Sequence, residues 1–204
     1  MEKRSFISGL LIAVILLLAI GCDTGGSSGG GSNPAVTYAI GDTGPAGGLI
    51  FYVDEADTYS WTYLEVAPLS TERGNTYWGD YGTVIGGNAA LTGIGDGQAA
   101  TDAIVAHMEG KSIKGTAAQL CDALSYGGYD DWFLPSKDEL NAIWTNLVDD
   151  GSRSNSGVGG FAESYYWSSS EYDSSYACYQ GFSNGSQKYN YKDGSVRVRA
   201  VRAF

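Results

Sequence analysis

Histidine, cysteine and positive charge are all scarce in this chain, and each scarcity removes a class of chemistry. There is one His, His107, among 204 residues. A single imidazole excludes multi-His zinc sites and leaves little basis for a His-based nucleophilic triad. Cys occurs three times, at Cys22, Cys121 and Cys178, too few for a disulfide scaffold. Lys and Arg together number 12 against 23 Asp and Glu, for a formal net charge of −11. A surface of that sign argues against nucleic acid and anionic lipid as electrostatic partners. Long apolar runs are absent except at the N-terminus.

That run, Phe6 to Ile20, follows Glu2-Lys3-Arg4. Its length suits a signal-peptide core and is short for a membrane span. It ends Leu18-Ala19-Ile20-Gly21-Cys22, which resembles a lipobox with Ala19 where Leu is usual. Residues 1–21 are therefore expected to be a lipoprotein signal peptide, with Cys22 the lipidated residue. The bland alternative is an ordinary signal peptide with an incidental Cys22. Residues 22–35 are mostly Gly and Ser, a tether with nothing to bury. Such a chain is anchored to a bacterial membrane rather than spanning it, with surface display on the outer membrane the expected location.

Residues 36–204 have the length of one domain. Leu49–Val53 reads as a buried strand, and Trp61–Ala67 as a second, closed by Pro68. Three helices follow. Gln98–Glu109 carries Ala100, Ile104 and Met108 at helical spacing. Thr116–Tyr126 opens with a capping box, Thr116 and Gln119, and has the stripe Ala117, Leu120, Cys121 and Leu124. Ser136–Leu147 repeats the device with Ser136 and Glu139, and its stripe is Leu140, Ile143, Trp144 and Leu147. Strands, then helices, then a strand-rich C-terminal part make an α+β domain. In this plan Cys121 is a small buried apolar residue and Cys178 a changeable surface position, with a Cys121–Cys178 bridge the alternative in an exported chain.

Residues 165–204 are the most distinctive stretch. Seven of the fifteen Tyr lie between Tyr165 and Tyr191, among Ser, Gly, Asn and Asp. Such a composition does not build a core. It resembles a paratope, in which Tyr supplies contact area at low entropy cost and Ser, Gly and Asn supply adaptable hydrogen bonds. A solvated hairpin of no special role fits the same composition.

Other motifs are weak. Gly93-x-Gly95-x-Gly97 lacks the G-x-G-x-x-G spacing and the βαβ context, and reads as a flexible lead-in to a helix. Asp130-Asp131 and Asp149-Asp150 are carboxylate pairs that nothing selects for glycoside chemistry. A calcium site at Asp149-Asp150-Gly151 lacks the EF-hand spacing, and the EPN and QPD triplets of sugar-binding lectins are absent. Arg197, Arg199 and Arg202 read as framework ion-pair partners in a closing strand, in preference to ligand-binding cations.

The stretch GGYDDWFLPSKDEL, then YYWSSSE, Phe182-x-Asn184-Gly185 and a closing RVRAVRAF, resembles the bacterial family named for the C-terminal domain of a Legionella collagen-like protein. The opening GDTGPAGGLIFYV and the middle AAQLCDAL fit it too. The resemblance implies a C-type lectin-like fold of the formylglycine-generating-enzyme type. It also implies that the first and last strands pair, Leu49–Val53 beside Arg197–Ala203. RVRAVRAF behind a Tyr- and Ser-rich stretch is similar, more narrowly, to variable proteins of diversity-generating retroelements, such as a Treponema lipoprotein. There, template adenines are mutated, so Asn codons give Tyr, Asp, Ser, Gly or Cys but never Lys, Gln, Glu or Trp. On that rule the variable, ligand-binding candidates are Tyr172, Asp173, Ser174, Ser175, Tyr176, Cys178, Gly181, Ser183, Ser186, Tyr189, Asn190, Tyr191, Asp193, Gly194 and Ser195. Gln180, Gln187, Lys188, Lys192, Trp167 and Phe182 would be fixed frame.

The expectation is a surface lipoprotein that binds protein or another macromolecule through a diversified segment. It has no enzymatic activity, no cofactor and no metal, and nucleic acid is not a partner. The alternative is an invariant adhesin or envelope-structural lipoprotein of the same fold. An oxidase of the formylglycine-generating type is more distant, because Cys121 and Cys178 do not form a matched reactive pair in the sequence.

Overall fold

The computed structural model describes residues 36–149 and 157–204. The expected signal peptide, Cys22, the tether, and Asp150-Gly151 of the conjectured calcium loop lie outside the described residues. Eight strands and three helices follow one another: β1 (Leu49–Val53), β2 (Tyr63–Val66), β3 (Arg73–Thr76), α1 (Gly97–Gly110), α2 (Ala117–Asp122), α3 (Lys137–Ile143), β4 (Tyr165–Glu171), β5 (Tyr176–Gly181), β6 (Gln187–Tyr191), β7 (Val196–Val198) and β8 (Val201–Ala203). The class is α+β, rich in strand.

The strands form two sheets, ordered β1-β2-β8 and β3-β7-β4-β5-β6. β7 pairs with β3 antiparallel and with β4 parallel at Tyr166↔Arg197. Arg199 and Ala200 alone separate β7 from β8, so the closing segment passes from one sheet to the other in two residues.

The expected pairing of first and last strands is not formed. β2 lies between them, with Leu49↔Val66 on one side and Val66↔Val201 on the other. The reason lies in burial: Leu64, Glu65 and Val66 are buried in succession, which suits a central strand. Glu65 tolerates that place because its carboxylate is fully bonded. It accepts from Gly48 N at 2.6 Å, Ala46 N at 3.3 Å and Arg202 Nη1 at 3.4 Å. A Cβ on Gly44 would stand 2.5 Å from the Glu65 carboxyl carbon, and one on Gly48 would stand 2.1 Å from Val66 O. That crowding accounts for the Gly-rich opening before β1.

α1 and α2 cover one core with Trp78, Trp132, Trp167, Leu134 and Val198. α3 covers another with Phe51, Leu64, Phe133, Tyr166 and Phe182. The buried indoles are satisfied: Trp78 Nε1 donates to Ser168 O and Trp167 Nε1 to Thr76 O, both at 2.8 Å. Both capping boxes form. α3 runs on into a π-helical turn, Trp144–Val148, that buries Leu147 and Val148. The α2 stripe differs from expectation, since Leu120 is exposed and Ala118 is buried with Ala117 and Cys121. Thr116 is itself buried, and its box with Gln119 sets the rotation of a helix only six residues long. The two ends of the described domain meet, with the Tyr38 ring 5.3 Å from Tyr63 and 5.7 Å from Phe204, edge-on to both.

Candidate functional site

β5 and β6 form a hairpin in which Tyr176 faces Tyr191, Cys178 faces Tyr189 and Gln180 faces Gln187. Residues two apart on a strand share a face, so these three pairs stand in one row. The tyrosines at the start of that row join others from nearby loops. Tyr172 stacks on Tyr189 with centroids 4.4 Å apart and planes at 9°. Tyr189 meets Tyr176 edge-on at 5.3 Å, Tyr176 stacks on Tyr191 at 4.6 Å, and Tyr191 meets Tyr81 at 5.8 Å. Five rings thus run without a break. Tyr81, Tyr172, Tyr189 and Tyr191 keep between 47% and 58% of their surface exposed, so the platform faces solvent without covering a core. The Tyr191 hydroxyl, hydrogen-bonded to Tyr176, pushes the Tyr176 phenol up to about 12, so it is neutral at ordinary pH.

Beneath the rings the frame is polar and largely hydrogen-bonded. Lys192 is buried, with Nζ 2.5 Å from Glu171 Oε1, 2.6 Å from Thr83 O and 4.9 Å from the Trp78 ring centroid. Glu171 also accepts from Ile85 N at 2.9 Å and Gly86 N at 2.7 Å, which holds that loop under the platform. Gln180 Nε2 donates to Gly185 O at 2.8 Å, and Gln187 Nε2 to Lys137 O at 2.9 Å. Of the residues expected as fixed frame in the hairpin, only Lys188 is exposed.

A cleft of about 260 Å³ opens beside the platform, walled by Tyr172 and Tyr189, flanked by Lys137 and Lys188, with Cys178 and Glu171 in its lining. Cys178 is buried, which corrects its expected surface position; its thiol contributes to the cleft wall instead. Burial pushes that thiol up, against a smaller downward pull from Lys137. Cys121 is buried more deeply and its thiol is pushed up further by the same cause. Both thiols are free.

The candidate residues fall into three groups. Tyr172, Tyr176, Tyr189 and Tyr191 make the platform, with Asp173, Ser174 and Ser175 in its adjoining turn. Asp173 builds that turn, its Oδ1 accepting from Ser175 N at 2.7 Å and Tyr176 N at 2.8 Å. Ser183 and Ser186 sit at the far turn of the hairpin, five strand residues or about 17 Å away. Gly181 is buried there and presents no outward side chain. Asn190 lies in β6 opposite Ala177, and Asp193, Gly194 and Ser195 lie in the β6–β7 turn. Gly194 has no room there for a larger residue, since a Cβ would stand 2.6 Å from Asn190 Nδ2. Tyr81 and Lys137 were missed from the sequence. Both are brought to the site by long-range packing, and nothing local marks them.

Residues considered for other roles are structural. Arg202 grips Asp131 with Nε–Oδ1 at 2.8 Å and Nη2–Oδ2 at 2.9 Å, and Arg197 Nη1 lies 2.7 Å from Glu72 Oε1, as framework pairs. Arg199 pairs with no carboxylate among the described residues; its Nη1 donates to Gly159 O. His107 Nε2 lies 2.9 Å from Asp80 Oδ2. The 93–97 loop is clamped rather than flexible: Gly95 N donates to Glu139 Oε1 at 2.9 Å and Gly97 N at 3.4 Å. Burial pushes the Glu139 carboxyl up to about 7, opposed by those amides and by Ser136 N. Among the described residues no three His, Cys, Asp or Glu side chains gather as a metal site, and no helix is long and apolar enough to cross a membrane.

Comparison with solved structures gives a fimbrial protein from Bacteroides ovatus at a TM-score of 0.53 and 12% identity, over 77% of this chain and 44% of that one. At that identity the likeness is one of fold, and this chain spans less than half of the neighbour. No curated protein matches the chain. The model of the Lcl C-terminal domain family matches residues 54–202, a span that takes in the tyrosine platform, its buried frame and every strand but the first. The chain belongs to the Lcl C-terminal domain family.

Proposed function

We propose that this domain is a surface-displayed binding module and that the tyrosine platform is its ligand face. The observation that carries the reading is the unbroken run of five rings, four of them half-exposed, over a hydrogen-bonded polar frame. Rings already stacked lose little freedom on binding, so contact area turns into affinity at low cost. The expected partner is a protein or another macromolecule, because the platform is broad and the cleft beside it is small. The finer fold assignment, a C-type lectin-like domain of the formylglycine-generating-enzyme type, is part of the proposal. In its favour, the first and last strands share one small sheet, though β2 lies between them. Family membership and a fimbrial structural neighbour fit a surface role. Lipidation at Cys22 and outer-membrane display rest on the lipobox alone.

Diversification of the platform by a retroelement belongs to the same proposal. In its favour, the codon rule puts Tyr172, Tyr176, Tyr189 and Tyr191 among variable positions and the buried Gln180 and Lys192 among fixed ones. An invariant adhesin is the second reading. It is favoured by Asp173, Gly181 and Gly194, whose places in turns and tight packing resist free substitution. An enzymatic role is not proposed, since burial holds both free thiols in their protonated form. Sequencing the 3′ end of the gene and its flanks separates the first two readings. A near-copy of the 165–204 coding stretch beside a reverse transcriptase gene, differing almost only at adenines, supports diversification; absence of any such copy in the genome leaves the invariant adhesin. Binding itself is tested by replacing Tyr172, Tyr176, Tyr189 and Tyr191 with Ala. Lost adhesion at an unchanged melting temperature is expected, and retained adhesion sinks the platform as the ligand face.

A further inference from the structure

Arg199 is the exception among the three arginines of the closing segment. It lies at the switch between the sheets and is 3% exposed. Its Nη1 donates to Gly159 O at 2.7 Å, and the Phe161 ring centroid lies 4.2 Å from its Cζ. Its Nε has no partner among the described residues. Glu72 attracts it at longer range, but the two oxygens of Glu72 already accept from Arg197 and Tyr166. A buried guanidinium with neither a paired carboxylate nor a full set of acceptors is costly, so a native fold that keeps one has a use for it.

Arg199 lines a pocket of about 190 Å³ whose apolar walls are Leu49, Val66, Pro68 and Leu69, with backbone from Gly47 and Gly48. We propose that this pocket binds a small carboxylate with a short branched aliphatic body, the Arg199 guanidinium taking the carboxylate and Leu49, Val66 and Leu69 the hydrocarbon. The planar fork of Arg matches a carboxylate. On the liquid-water measure of ~30 Å³ per oxygen the space suits about six non-hydrogen atoms, close to the size of a four- or five-carbon acid. The walls offer nothing to a strongly hydrated inorganic oxyanion beyond Arg199 itself. The same chemistry is presented by a free acid and by the C-terminal Leu or Val of a peptide. This site is separate from the tyrosine platform and does not depend on its reading.

The test is a titration of the full chain with isovalerate, followed through the methyl resonances of Leu49, Val66 and Leu69. Saturable shifts with a dissociation constant on the order of millimolar are expected. Isovaleramide, which lacks the charge, and sulfate, which lacks the hydrocarbon, are expected to leave those methyls unmoved. A peptide ending in a free Leu carboxylate that binds at least tenfold tighter than isovalerate, and is lost on C-terminal amidation, assigns a chain terminus; equal or weaker binding assigns the free acid. Arg199→Lys should weaken binding tenfold or more. Leu69→Trp fills the pocket from an exposed rim position without touching Arg199, so it tests the site even where an Arg199 variant unfolds. It should abolish the shifts. No saturable response to isovalerate, an equal response to sulfate, or an unchanged response in Leu69→Trp would overturn the proposal.

Discussion

Arg202 and Lys192 are both buried cations held by carboxylates, one in β8 and the other in the turn after β6, and they serve opposite arrangements. Arg202 is enclosed: Asp131 and Glu65 bond it, and the rings of Tyr129, Phe204 and Trp132 lie 3.8, 5.1 and 5.9 Å away. There the aromatic residues turn inward over a charge and seal the end of the chain. Lys192 is bonded from below by Glu171 and Thr83, while the tyrosines of the same hairpin turn outward. Charge is the filling in one region and the footing in the other. The contrast teaches that aromatic content alone does not mark a binding face. The proposed face differs in that its rings are left exposed over a buried, charge-paired frame.

Substitutions that separate frame from face put this contrast at risk. Lys192→Ala leaves Glu171 buried and unpaired, and should cost about 3–5 kcal/mol in urea unfolding, with the platform lost as well. A loss under 1 kcal/mol would mean that the pair is not a footing. Glu139 ties α3 to the 93–97 loop, between the two regions, and gives a pH signature. Its folded pKa is raised, so in the window from about 4.5 to about 7 the native state holds the proton more firmly than the unfolded chain. Stability from this group is therefore greatest at low pH and is lost as pH rises towards 7, by up to about 3 kcal/mol. Melting of wild type and Glu139→Gln across pH 5 to 8 reads it directly; parallel curves would refute it. Asp131→Asn should cost only about 1 kcal/mol at neutral pH, because Asp131 is half exposed although bidentate. Arg202 holds the Asp131 carboxyl below its ordinary range, so that cost is present above the usual carboxylate pKa and fades as pH falls through the lowered one. The smallest stability effects belong to the face: Tyr172→Ala and Tyr189→Ala should each change stability by about 1 kcal/mol or less. Binding measured on the same samples should nevertheless collapse.

Signals carried by neighbours in the chain were legible. β1 was read to its residue limits, and both capping boxes formed where Thr116 and Ser136 placed them. What was not legible depends on distant partners. Nothing within Tyr63–Val66 says that two strands flank it; the clue was a run of burial that needs Glu65 neutralised by Arg202, 137 residues away. Tyr81 joins the platform from a stretch with no period of its own. Cys178 looked like surface because its neighbours are polar, but it sits opposite Tyr189, whose ring takes the exposed place. The rotation of α2 was misread because a six-residue helix has too few turns for its stripe to average out.

The cluster of Tyr38, Tyr63 and Phe204 brings the two ends of the folded domain to one spot, with the Tyr38 amide donating to the Tyr63 hydroxyl at 3.3 Å. Domains whose ends meet tolerate circular permutation. A linker of a few residues could join Phe204 to Val36, and new ends opened in the Ser183–Ser186 turn would leave every strand pairing in place. In such a molecule β6 becomes the first strand and β5 the last. The proposed ligand face would then be assembled from the two extremities of the chain, which makes the tyrosine platform one that can be split into two fragments and rejoined.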